Sequence, residues 1–160
     1  MNVQSLAFLA FLTVTVCACR LLGKKRRTWA LLAASLVFYL WSGTPAAWWG
    51  CGLLLVSSAV SLLAANRLRK DRRKGVFLAA VCYHIVVLGV FKYTGFLTGG
   101  AVQTPFVPLG ISFFTFQQIW YLHEVYTGAF EDLPAPAEYL TYSFFFPTVS
   151  SGPILKPQNF

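Results

Sequence analysis

Pro108-Leu-Gly-Ile-Ser-Phe-Phe-Thr-Phe-Gln-Gln-Ile-Trp-Tyr-Leu-His-Glu-Val-Tyr-Thr-Gly128 decides the fold. Proline sits where a first helical turn has no use for its missing N–H, and glycine stands where a helix stops. Between them, Leu109 to Tyr126 makes a helix of 18 residues, about 27 Å at 1.5 Å per residue. That length returns across a membrane, yet the stretch carries two amides and a carboxylate. In hydrocarbon each polar group needs a protein partner or a water-filled cavity. Composition supplies the hydrocarbon: 57% of the 160 residues are hydrophobic, 17% aromatic and 11% charged, against about 25% charged in soluble domains. The expectation is an all-α, polytopic transmembrane protein.

Outward from this helix, charge placement argues the same way. The net charge is +8, but the basic residues concentrate in two runs, Lys24 to Arg27 and Arg67 to Lys74, each bracketed by apolar sequence. That is the positive-inside pattern of cytoplasmic loops, with anionic-lipid contact as the lesser reading. Nucleic acid is not an expected partner. Cys17, Cys19, Cys51 and Cys82 show no metal or redox spacing and read as small apolar membrane residues. No metal and no cofactor is expected. The N-terminus lacks the charged stretch of a secretory signal and reads as a retained span.

The expected spans are residues 3–19, 24–41, 46–65, 76–93 and 109–126, with a partial segment over 138–152. The second is short from Thr28 onward and crosses if its helix begins within Lys24 to Arg27, whose side chains snorkel. Ser42-Gly-Thr-Pro45 is a turn, flanked by Trp41, Trp48 and Trp49 as an interfacial belt. Lys92 and Tyr93 end the fourth span, with polar tips placed among headgroups. Residues 98–107 form an outer loop, and Glu131 to Pro136 a wet acidic connector. The piece from Glu138 to Val149 is too short to span and is broken by Pro147, so it reads as re-entrant. This layout places the N-terminus outside and both basic loops inside the inner (plasma) membrane.

Gln117, Tyr121 and Glu124 fall at i, i+4 and i+7, on one face with Gly110 and Phe114. Ile111, Ile119 and Leu122 are expected on the opposite side. Such a polar stripe either glues neighbouring helices or lines a cavity. His84 reads as an inter-helix hydrogen-bonding group, and His123 as solvated near a helix end. Neither has a partner at catalytic spacing. In Ser150-Ser-Gly-Pro-Ile154, Gly152 allows close approach and Pro153 fixes the next dihedral, which suits a loop lining a cavity.

The ordered blocks FKYTGF (91–96), PLGISFFTFQQIWYLHEVYTG (108–128) and FFFPTVSSGPI (144–154) resemble the membrane-bound O-acyltransferase family. The likeness is to its bacterial branch of alginate O-acetylases and D-alanyl-transfer proteins, and it is close from about residue 88 onward. Glu124 stands where the family usually has Asp, His123 where an apolar residue is common, and Lys156 near a frequent Arg. PTVSSGPI leans toward the D-alanyl-transfer members, whereas GISFFTFQQI and VYTG lean toward the acetylases.

The resemblance implies transfer of an acyl group, with acetyl expected, from a cytoplasmic donor to a hydroxyl of an envelope polysaccharide. Gln117, Tyr121, Glu124, Gly152 and Pro153 are then the expected cavity-lining residues. No catalytic residue is assigned, because the family's essential histidine lies downstream of the G-P-I block and neither His84 nor His123 matches its context. The chain is thus expected to be an N-terminal portion, inactive without the remaining helices that would be its partners beside membrane lipid. The rival reading is a small non-enzymatic membrane scaffold or transporter-like subunit using the same stripe to hold partner helices.

Overall fold

A computed structural model of the chain describes residues 6–41, 45–100, 107–108, 110–129 and 133–145. All regular structure among them is helical. In order these are α1 (Leu6–Leu21), α2 (Lys24–Leu40), α3 (Pro45–Lys70), α4 (Lys74–Leu88), a π-helical turn (Gly89–Tyr93), α5 (Thr94–Leu97), α6 (Ile111–Thr127) and α7 (Pro136–Phe144). Two helical runs are long and apolar enough to cross a bilayer: Pro45–Lys70, 26 residues, and Lys74–Phe96, 23 residues. Leu6–Leu21 is apolar but shorter.

The basic residues are built into helix ends. α2 starts at Lys24, inside the first basic run, with Arg27 N–H donating to the Gly23 carbonyl at 2.9 Å. Arg67, Arg69 and Lys70 occupy the last turn of α3, where cations complement the carbonyl end of the helix dipole. Only residues 71–73 separate α3 from α4, and Asp71 pairs with Arg73 there.

The fourth helix does not stop at Tyr93. The chain passes through the π turn and continues to Leu97, and the Lys92 ammonium donates to Ser112 Oγ at 2.7 Å on the first turn of α6. A contact to a neighbouring helix, rather than headgroups alone, therefore holds Lys92. α6 begins at Ile111, after Gly110 in the left-handed region at φ 71°, and ends at Gly128, φ 79°. α7 begins at Pro136, and the Glu138 carboxylate reaches back to accept from Ala135 N–H at 3.1 Å.

α6 lies against α3, α4 and α7, and α7 fills the space between α2 and α6. The core falls into two main apolar clusters. One gathers Leu32, Tyr39, Cys51, Leu54, Phe114 and Phe144; the other is built around Ala65, Leu68, Leu122 and Val125. α3, α6 and α7 each contribute to both.

Candidate functional site: a polar layer between two apolar clusters

Between those clusters the interior is polar. Along α3 the fully buried positions run Leu54, Ser58, Ser61, Ala65, Leu68, one face of a helix, with its two hydroxyls in the middle. Small residues at 58, 61, 64 and 65 let neighbouring backbones come close enough for short side chains to bond across. On α6 the matching positions are Gln117 and Gln118, each 1% exposed, between Phe114 and Leu122. α4 contributes His84, also 1% exposed.

These groups satisfy one another. Gln118 Nε2 donates to Ser58 Oγ at 3.1 Å, and Ser61 Oγ donates to Gln118 Oε1 at 2.5 Å. The same Ser61 oxygen lies 2.8 Å from His84 Nε2. A serine has one proton to give. With that proton on Gln118, the His84 nitrogen is the donor. One turn of α3 earlier, Ser57 Oγ is 3.4 Å from Tyr83 Oη. Three helices are therefore joined by a hydrogen-bonded chain sealed from solvent.

The fourth wall is α7. Gln117 Nε2 donates to the Tyr142 main-chain carbonyl at 3.1 Å. That carbonyl lies in the last turn of α7, where helix geometry leaves C=O groups without an intrahelical donor. Tyr121, fully buried, places its ring 4.4 Å from that of Tyr139, centroid to centroid. Thr141 Oγ1 donates to the Ala137 carbonyl at 2.7 Å and also lies 3.2 Å from the Thr28 carbonyl, which ties α7 to α2.

Of the predicted stripe, the structure brings Gln117 and Tyr121 into the interior against α7, while Glu124 lies half-buried two turns on from Gln117. Gly152 and Pro153 lie outside the described residues. The side of α6 opposite the stripe packs against protein as well. Ile111 and Leu122 are buried, and the outward strip of α6 is Phe116, Trp120 and His123. A helix packed on three sides has only a narrow outward strip, so burial extends well beyond the polar stripe. His84 does bond between helices, with Ser61 as its partner. Gln118 and the α3 serines are functional candidates that the one-face reading passed over. The signal that finds them is the spacing of Ser58, Ser61 and Ala65 at i, i+3 and i+7 inside a long apolar helix.

Curated proteins named "Probable alginate O-acetylase AlgI" match this chain along most of its length. The Pseudomonas aeruginosa protein is 32% identical over 171 aligned residues, covering 91% of this chain. The Azotobacter vinelandii protein is 32% identical over 155, covering 81%, and the Pseudomonas putida protein 30% identical over 158, covering 84%. The chain belongs to the membrane-bound O-acyltransferase family. It spans about 30% of the length of these relatives, 31%, 29% and 30% respectively. No family model matches the chain, and no solved structure matches it. Family membership and the two long apolar helices together make this a membrane protein.

Proposed function

We propose that this segment builds part of the hydrophilic interior of a membrane O-acyltransferase, one that moves an acetyl group onto a hydroxyl of an extracytoplasmic polysaccharide. The observation that carries the reading is the sealed polar layer. Ser58 and Ser61 lie near the middle of the 26-residue α3, so if that helix crosses the bilayer they sit close to the midplane, where polar groups are costly and usually functional. The relatives' names supply the reaction and the class of acceptor.

In this reading α1, α2, α3, α4 and α6 are the five membrane helices, α7 is the start of a re-entrant segment, and both basic turns face the cytoplasm. The acyl donor arrives on that side. Gln117, Tyr121 and Glu124, with Gly152 and Pro153, shape the wall past which donor and acceptor meet. As the new ester bond forms, the bond between the acyl carbon and its carrier breaks and the acceptor hydroxyl's proton passes to the released carrier, while a water-poor site keeps the acyl group from hydrolysis. Fixed amides and hydroxyls orient the reactants there without being consumed.

The test is complementation. The protein carrying this sequence is produced in a Pseudomonas aeruginosa strain lacking its own alginate O-acetylase, and ester acetyl on the exported polysaccharide is measured by proton NMR. Restored acetyl, lost again on replacing Gln117 and Glu124 with Leu while the protein remains folded in the membrane, is the expected result. Wild-type protein that is folded and inserted but leaves every envelope glycan unacylated overturns the assignment in favour of a scaffold.

A further inference from the structure

The two basic segments meet at one end of the bundle. The Thr28 carbonyl, just after the first, accepts from Thr141 of α7. Tyr139, two residues earlier on α7, packs with Leu68 of α3, inside the second. Together residues 20–27 and 67–74 hold eleven of the chain's thirteen lysines and arginines and one acid, Asp71, which pairs with Arg73. Arg72 turns to the Thr127 carbonyl at the end of α6. Of the acids nearby, Glu138 accepts from Ala135 N–H and Glu124 is half-buried. Arg26, Arg67 and Lys74 are exposed.

Each of these three cations stands one turn from an exposed apolar side chain on its own helix. Arg67 and Leu63, the latter 67% exposed, are on α3; Lys74 and Leu78, 47% exposed, on α4; Arg26 and Trp29, 57% exposed, on α2. Spacings of three and four residues put both members on one helix face. In every pair the apolar member lies farther into its helix, away from the basic end. α3 and α4 pack together and are joined only by residues 71–73, so their two pairs sit at matching depth. Both belong to runs long and apolar enough to cross a bilayer. A cation beside apolar surface at a membrane face complements a lipid, with phosphate outward and acyl chain inward. Nucleic acid or an acidic protein would use the charges alone.

We propose that Arg67 and Lys74, with Leu63 and Leu78 one turn deeper, form a binding surface for anionic phospholipid. Headgroup phosphates meet the guanidinium and the ammonium, and acyl chains follow the leucines. Arg26 and Trp29 extend the surface on α2, with the indole at headgroup level as interfacial tryptophans are. The surface needs only that α3 and α4 cross the bilayer. It does not depend on the reaction proposed above.

Native mass spectrometry of the whole protein carrying this sequence, solubilised in detergent, tests it. The protein is titrated with phosphatidylglycerol or with phosphatidylcholine of the same acyl chains, and each lipid's binding constant is read. One lysine or arginine near an anionic surface changes affinity about fivefold. Phosphatidylglycerol should therefore bind at least about fivefold tighter than phosphatidylcholine. Arg67→Gln and Lys74→Gln should each weaken phosphatidylglycerol about fivefold and leave phosphatidylcholine unchanged. Lys92→Gln, in the π turn at the far end of the α4 run, should change neither. The charge-conserving Arg67→Lys and Lys74→Arg should keep the preference, which separates lost charge from lost fold. Soluble glycerol phosphate, lacking acyl chains, should not displace the bound lipid. Equal binding of the two lipids by the wild-type protein, a preference that survives both Gln variants, or displacement by glycerol phosphate overturns the proposal.

Discussion

His84 Nε2 and Ser61 Oγ lie 2.8 Å apart across the contact between α4 and α3. The direction of that bond is set elsewhere, because Ser61 gives its proton to Gln118 Oε1. The imidazole must therefore donate. Nitrogen-15 NMR of histidine-labelled protein should find His84 protonated at Nε2, and Ser61→Ala should move that resonance while leaving His123, on the outward strip of α6, unchanged. A bare Nε2 at His84 would reverse the bond order of the whole array.

Gln118 should matter more to stability than its neighbours on the outer strip. Replacing it with Leu removes a donor and an acceptor together and strands the Ser58 and Ser61 hydroxyls. Leaving buried partners unsatisfied costs about 1–3 kcal/mol for each group, so Gln118→Leu should lower the unfolding free energy by about 2–4 kcal/mol in detergent. Phe116→Leu, at a position 56% exposed, should stay within about 0.5 kcal/mol. Thermal melts of the two variants side by side check the difference. Equal losses would place Gln118 outside any bonded interior.

Much of this organisation could be read in advance, and the parts that could not share a cause. The start of α2 at Lys24 follows from a short apolar stretch that needs its basic flank to reach across, and Gly128 as a stop follows from its conformational freedom. Gln117 was identifiable because an amide in apolar sequence demands a partner. Which partner was not, since the Tyr142 carbonyl lies 25 residues away and is a main-chain group common to every residue. Ser58 and Ser61 hide for a similar reason: single hydroxyls in a hydrophobic helix bond back to their own turn as readily as across it. The π turn at 89–93 has no periodic signature, and it is what carries the chain on past Lys92 toward Leu97.

At the basic end of the bundle, Gly128 and Arg72 are locked together. Gly128 closes α6 at φ 79°, and a methyl group there would run into the Arg72 guanidinium, whose Nη1 donates to the Thr127 carbonyl at 3.4 Å. Gly128→Ala thus pays for a left-handed backbone, about 1–2 kcal/mol, and for displacing the arginine. Adding Arg72→Ala should recover the second part and none of the first. A double-mutant cycle on chemical or thermal unfolding reads the coupling, and strict additivity would show that the two never touch.

Gln117 and Gln118 are adjacent, yet their losses should appear in different places. Gln118 bonds to the α3 serines Ser58 and Ser61, whereas Gln117 caps a carbonyl in the last turn of α7. In that turn Phe145 N–H reaches the same Tyr142 oxygen at a long 3.4 Å. Removing the Gln117 amide should therefore loosen α7 locally before it weakens the bundle, because local opening draws on the bonds of one segment rather than on global stability. In hydrogen exchange of Gln117→Leu, amides across 139–145 should exchange about tenfold faster, the equivalent of about 1.4 kcal/mol, with α3 and α4 amides near wild-type. Gln118→Leu should show the reverse, with α3 amides accelerated and α7 spared. If both variants accelerate the same amides, the four helices open as a single unit, and the separation of the two glutamines into distinct roles fails.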